Sequence, residues 1–277
     1  MTTHNYLQRF LLEKSNWRGE LVELSESLTD LVQPHNYPPI IRQLVIELAI
    51  TSILLRATIK TDGVLTLQYQ NTRAIKLLLA RCTPDYHFRG IARWDNTLDT
   101  IDLLASLPEG NLAISFLADG REPLQSIVPV ESNNLRALIE NYFIRSEQIP
   151  TRIFFAHHED RSYGILLQRL PSASADTELN TTALNHELSK QTEQKISATD
   201  LLNKLFADEQ LTLLTCHSLK FDCSCSAEKI KNFLPLFGKK DCEEILEEEG
   251  VLTINCEFCN KKYQFARDEV MGCFEEG

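Results

Sequence analysis

The residues with the clearest chemistry are two close cysteine pairs, Cys223-Ser-Cys225 and, 30 residues further on, Cys256-Glu-Phe-Cys259. Each pair offers two sulfurs from one turn, and a segment folding back between them gathers four thiolates at one point, as a tetrahedral metal site requires. Soft thiolates select zinc or an iron–sulfur cluster, and neither spacing matches the ferredoxin runs. The expected cofactor is therefore one Zn2+ held by Cys223, Cys225, Cys256 and Cys259. Structural zinc sites commonly separate paired cysteines by two to four residues, so the first pair is unusually tight. Two extended residues span at most ~7 Å, close to the ~6.8 Å upper limit between the Cα atoms of a disulfide. Each pair can clamp a metal when reduced and close on itself when oxidised. Spacing alone admits both a permanently reduced structural knuckle and a redox switch. Cys82, Cys216, Cys242 and Cys273 stand alone and read as incidental or packing thiols. His217, six residues before the first pair, is an alternative nitrogen ligand.

Magnitudes favour a consequence for the fold. A structural zinc ion contributes about 10–16 kcal/mol of apparent binding free energy, whereas a whole domain is stable by only about 5–15 kcal/mol. Residues 216–277 are near the lower size limit for independent folding. Pairing the thiols and losing the metal is expected to unfold that unit, loosen any segment docked on it and bare apolar side chains.

The rest of the chain must position this cluster. Seven of the eight cysteines lie in the last 62 of 277 residues. The net charge is −11, of which residues 216–277 carry −5, residues 172–215 carry −4 and residues 1–171 only −2. The expected division is an N-terminal layered α+β domain (1–171), a helical linker (172–215) and a small C-terminal zinc-binding domain (216–277). In the first region, strands are expected at Tyr6–Leu12, Gly19–Leu24, Val64–Gln70, Phe88–Trp94, Leu112–Leu117, Leu124–Val130, Thr151–Ala156 and Gly164–Leu170. A buried helix is expected from Ile40 to Ala57 behind Pro38-Pro39, and another over Asn134–Glu147, stopped before Pro150. Pro171 to Asp176 is a small-residue break. Beyond it, Leu184 with Leu188, Leu201 with Leu205, and Leu202 with Phe206 pair at i, i+4 on otherwise polar helices. Such a linker folds only by docking, and these six side chains are the candidate surface for binding other proteins when it undocks.

Several function classes are disfavoured. The acidic balance argues against broad nucleic-acid binding, which needs lysine and arginine to neutralise phosphates. A zinc-ribbon adaptor for nucleic acid or protein is the competing reading, but Lys229, Lys231, Lys239 and Lys240 are outweighed by Glu243, Glu244, Glu247, Glu248 and Glu249. No apolar run is long enough to cross a membrane, because Leu44–Leu55 is short and holds Glu47. Residues 1–14 lack the pattern of a secretory signal, so a cytoplasmic location is expected. There is no G-x-S-x-G, H-E-x-x-H or Walker loop, and ten glycines are few for phosphate cradles. His157-His-Glu-Asp160 reads as a polar turn between strands rather than an acid–base group, and no catalytic residue is assigned.

The sequence resembles the 33 kDa chaperonin family of redox-regulated holdase chaperones. The resemblance is carried by Arg18-Gly-Glu-Leu-Val22, Glu47 through Lys60-Thr-Asp-Gly63, Asn141-Tyr-Phe-Ile-Arg-Ser-Glu-Gln-Ile-Pro-Thr151, Phe221-Asp-Cys-Ser-Cys225, Glu244-Ile-Leu246 and Cys256-Glu-Phe-Cys-Asn-Lys-Lys-Tyr-Gln-Phe265. It implies zinc on the four cysteines in a reduced, inactive state. It also implies oxidation to the disulfides Cys223–Cys225 and Cys256–Cys259, zinc release, linker unfolding and capture of unfolding client proteins, commonly by a homodimer. One departure is local: the family's glycines after the strand matching Val64–Gln70 are replaced by Asn71-Thr-Arg-Ala-Ile-Lys76.

Overall fold

The computed structural model describes residues 5–171, 179, 181–193 and 195–274. The chain opens with an antiparallel hairpin, β1 (Tyr6–Leu12) and β2 (Trp17–Leu24). Asn16 takes the left-handed conformation at its turn (φ 57°), which asparagine tolerates. Phe10 lies opposite Gly19, and its ring covers that glycine so closely that a Cβ there would meet it at 2.2 Å. A short helix, α1 (Glu26–Val32), leads to α2 (Pro39–Thr58). Proline at the start of α2 presets φ at a position whose N–H has no helical partner. The helix then buries Ile41, Leu44, Val45, Leu48, Ile50, Ile53, Leu54 and Leu55, among others. A helix apolar around most of its surface belongs inside, and here a stripe with Arg42, Gln43 and Glu47 stays partly exposed.

Next come β3 (Val64–Gln70), β4 (Leu77–Cys82), β5 (His87–Arg93), α3 (Thr100–Ala105), β6 (Asn111–Leu117) and β7 (Leu124–Pro129). On β3 the alternation holds, with Leu65, Leu67 and Tyr69 buried. The glycine-free stretch between β3 and β4 is closed by Asn71. Its Oδ1 accepts from the N–H groups of Arg73 (3.0 Å) and Ile75 (3.1 Å), and its Nδ2 donates to the Tyr69 hydroxyl (2.9 Å). An asparagine turn thus does the work of the missing glycines.

Helix α4 (Leu135–Tyr142), capped by Asn134, widens over Phe143–Glu147 and stops at Gln148 in the left-handed region. Strands β8 (Thr151–His157) and β9 (Ser162–Arg169) follow, then α5 (Leu184–Gln191), α6 (Ala198–Leu205), β10 (Leu211–Ser218) and β11 (Lys220–Phe221). The expected break at 172–176 lies outside the described residues.

Among the described residues these strands form two sheets, in the orders β10-β1-β2-β9-β8 and β11-β5-β4-β3-β6-β7. Helix α2 lies between them, against β2 and β9 on one side and β3, β4 and β5 on the other. Gly164 of β9 admits it, since a Cβ there would sit 2.2 Å from Ile50 Cγ2. The class is α+β, as the mixture of periodicities leads one to expect.

The described residues divide into two compact units between Phe221 and Asp222, six residues beyond the expected start of the zinc domain at 216. The reason is β10, which the sequence reading does not contain. It pairs with β1 from Leu12↔Leu211 to Tyr6↔Ser218. Residues 213–216 are exposed, so the strand is held by backbone hydrogen bonds along an edge rather than by an apolar face, and leaves little periodic signal.

The second unit contains α7 (Ala227–Phe233), α8 (Lys239–Glu249), β12 (Leu252–Asn255), β13 (Lys262–Phe265) and α9 (Arg267–Gly272). Gly250 ends α8 at φ 75°, a conformation that costs other residues more. The buried core here is Leu234, Cys242, Leu246, Leu252, Tyr263, Phe265 and Val270.

Candidate metal centre

Two loops build the centre. Cys223-Ser-Cys225 lies just before α7, which Ser226 caps by accepting from the Lys229 N–H (3.1 Å). Lys229 Nζ reaches back to the Ser224 carbonyl (2.7 Å), tying the loop to the helix. Cys256–Cys259 forms the turn between β12 and β13, which pair from Leu252↔Phe265 to Asn255↔Lys262. The Cys256 N–H donates to the Lys261 carbonyl (2.9 Å) and the Asn260 N–H to the Cys256 carbonyl (2.7 Å), with Asn260 left-handed at φ 55°.

These loops bring the four sulfurs within 4.8 Å of one another. Two approaches cross between the pairs, Cys223 Sγ to Cys256 Sγ and Cys225 Sγ to Cys259 Sγ, each 3.5 Å. A tetrahedral ion with sulfur ligands at ~2.3 Å needs sulfurs roughly 3.8 Å apart. The donor set therefore fits a metal ion in both number and spacing.

The sulfurs also have hydrogen-bond donors. The Tyr263 hydroxyl donates to Cys225 Sγ (3.1 Å), the Cys225 N–H to Cys223 Sγ, and the Lys261 N–H to Cys259 Sγ. Burial pushes the Cys223 and Cys259 thiols up. At Cys225 burial acts the same way, but hydrogen bonds from Tyr263 and the neighbouring thiols outweigh it and bring this thiol below its ordinary value. All eight cysteines are free thiols. Cys242 is buried in the core of the same unit, Cys273 half-buried beside it, Cys82 buried in the first unit and Cys216 exposed on β10. His217 stands outside the four-thiol group and packs on the Tyr86 ring, with centroids 4.8 Å apart.

The six linker side chains have a definite place in the first unit. Leu184, Leu188, Leu201, Leu202 and Phe206 are buried and Leu205 is half-buried, all against one face of the sheet containing β1, β2, β8 and β9. The face presents Phe10, Trp17, Leu21, Phe154, Tyr163, Ile165 and Leu167, with the Phe10 and Phe206 ring centroids 5.6 Å apart. Polar ties flank it: His158 Nε2 meets Thr192 Oγ1 at 3.0 Å, Lys195 pairs with Asp160 at 3.4 Å, and the Ser15 N–H donates to the Glu209 carboxylate at 3.1 Å. Sequence reasoning missed this face, and only the structure shows it. Strands β2 and β9 are buried at almost every position, and a strand buried on both sides needs a second cover.

His157 bridges Ser162 Oγ (3.1 Å) and Glu47 Oε1 (3.2 Å), holding the β8–β9 hairpin to α2. Ser162 is wholly buried. On α8, Lys239 pairs with Glu243 and Lys240 with Glu244 one turn on, so part of the acidic run forms a solvated helix face. No helix among the described residues is long and apolar enough to cross a membrane.

Comparison with known proteins adds the lineage. The sequence model of the family described as Hsp33 protein matches residues 5–266. The chain is 35% identical to the 33 kDa chaperonin of Nitrosococcus oceani over 278 aligned positions, covering 100% of this chain and 96% of that one. It is 36% identical to the 33 kDa chaperonin of Methylobacillus flagellatus, covering 98% and 94%. The fold is similar to the crystal structure of the 33 kDa chaperonin from Thermotoga maritima, with a TM-score of 0.80 at 19% identity over 99% of this chain.

Proposed function

The chain belongs to the Hsp33 family of 33 kDa chaperonins, a family of chaperones, and from that premise we propose that it is a redox-regulated holdase. In the reduced state Cys223, Cys225, Cys256 and Cys259 hold one zinc ion, and the helical linker keeps its apolar side chains on the β1–β2–β9–β8 face. Bound there, the ion supplies cohesion that a core of seven buried side chains does not. Under a peroxide oxidant the thiols close as Cys223–Cys225 and Cys256–Cys259 and cease to be ligands. The C-terminal unit then loses its cross-link, and α5 and α6 lose their docked conformation. Leu184, Leu188, Leu201, Leu202, Leu205 and Phe206, with the sheet face they covered, become the surface that captures unfolding proteins.

The observation that carries this reading is the four-thiol cluster built from two pairs, each of which can close on itself. The test treats the full chain with hydrogen peroxide under mild heating. It follows released zinc, remaining thiols and light scattering of a thermally unfolding reporter protein. One zinc per chain should leave, four thiols should disappear and scattering should fall. An oxidised chain that leaves aggregation unchanged overturns the reading.

A further inference from the structure

We propose that Tyr263 is a positioning residue that brakes the thiol switch: its hydroxyl, by donating to Cys225 Sγ, holds that sulfur toward its partners and slows its attack on a hydroperoxide. The inference rests on the redox reading above and deepens it.

The geometry is specific. Tyr263 is on β13, directly after the Cys256–Cys259 turn, yet its hydroxyl reaches the other cysteine loop at 3.1 Å. The tyrosine is 8% exposed and packed in the core of the unit, so its ring has little freedom to turn the hydroxyl away. The donors to Cys223 and Cys259 are backbone N–H groups fixed by the fold. The donor to Cys225 is a side chain, and so can be removed without changing the loop.

The chemistry gives that hydrogen bond a consequence. In the first step a lone pair on the Cys225 sulfur attacks one peroxide oxygen and the O–O bond breaks. The sulfur becomes a sulfenic acid and hydroxide leaves. In the second step the Cys223 sulfur attacks the sulfenyl sulfur, the S–S bond forms and a second hydroxide leaves. Two protons from solvent convert both hydroxides to water, and the two sulfurs have passed two electrons to the peroxide. A hydrogen bond to the attacking lone pair must weaken before the first step, and hydrogen bonds to charged groups are the strong ones. Outer hydrogen bonds to metal ligands also orient them. Two readouts are therefore needed to separate a brake from a mere support.

The test compares Tyr263→Phe with the natural chain, both zinc-loaded and reduced. Zinc loss is timed by stopped flow, once under hydrogen peroxide and once under a competing chelator without oxidant. The variant should lose zinc roughly tenfold faster under peroxide, and that acceleration should exceed its acceleration under the chelator by at least about threefold. Equal acceleration in both arms, or none under peroxide, overturns the brake while the redox reading stands. A natural chain that keeps its zinc under peroxide overturns both. If Tyr263→Phe does not hold zinc, 3-fluorotyrosine at position 263, a stronger donor, should slow the peroxide arm; an unchanged or faster rate overturns the proposal.

Discussion

The two units of this protein are held together by different physics. In the first, helix α2 lies between two sheets and the buried residues number in the dozens among those described. In the second, seven buried side chains surround four sulfurs. Apolar burial at about 25 cal/mol per Å2 suffices for the former, whereas the latter is of a size at which natural domains usually need a metal or a disulfide. On the proposed reading, an oxidant acts on the second unit and leaves the two-sheet body of the first folded. The helices α5 and α6 stand apart from both regimes, since they belong to the first unit by packing but carry few apolar side chains of their own.

Removing the metal should break this contrast most sharply. Stripping zinc from the reduced chain should forfeit about 10–16 kcal/mol from the second unit. Limited proteolysis should then cut within 222–274 and, as α5 and α6 undock, within 181–210, while the two-sheet body up to Arg169 resists; a protected 222–274 segment would show that the metal is not its main support. A smaller effect is expected at the docking face. Leu202 is wholly buried there, and Leu202→Ala should weaken docking by about 2–4 kcal/mol. The reduced variant should become protease-sensitive between 181 and 210 with its zinc content unchanged.

The first unit should also respond to pH through the buried Glu20. Glu20 on β2 is 1% exposed; burial pushes its carboxyl from 4.5 to about 7, against partial relief from Arg18 and Arg9. Because the folded state binds this proton more tightly, the stabilising contribution is present below pH 4.5 and is lost as pH rises through 7. Glu20→Gln should raise the stability of the first unit by roughly 3 kcal/mol at pH 8 and by little at pH 4.5, as urea unfolding at the two pH values will show. The smallest effect is expected at Asn71, whose side chain closes the β3–β4 turn. Asn71→Ala should cost about 1 kcal/mol, seen as a lower Tm for the first unit with zinc affinity unchanged.

Particular residues show how far the sequence could be read. Helix α2 was legible because Ile40–Ala57 is a long apolar-periodic stretch, and β3 because Leu65, Leu67 and Tyr69 alternate with polar neighbours. Strand β4, Leu77–Cys82, was not foreseen, since the turn leading into it is formed by Asn71 rather than by a glycine pair. The four cysteines were legible from spacing, but nothing local in Lys262–Phe265 announces that Tyr263 reaches Cys225. The linker leucines were legible as i, i+4 pairs; the sheet face that receives them was not, because Phe10 of β1 joins Phe154 and Ile165 of the β8–β9 hairpin, far from it in the chain.

What the sequence determined by itself is what short stretches encode: two close cysteine pairs, a mostly buried helix, and a linker too polar to fold without a surface. Chelation within a turn and periodicity within an element cost little entropy to arrange, so their signals survive in the order of residues. Only the tertiary structure decided that β10 closes onto β1 some 200 residues away, that α5 and α6 cover the outer face of that sheet, and that a tyrosine hydroxyl meets one sulfur of four. Those outcomes depend on which edges and faces the rest of the chain leaves uncovered, and no local pattern of residues carries that information.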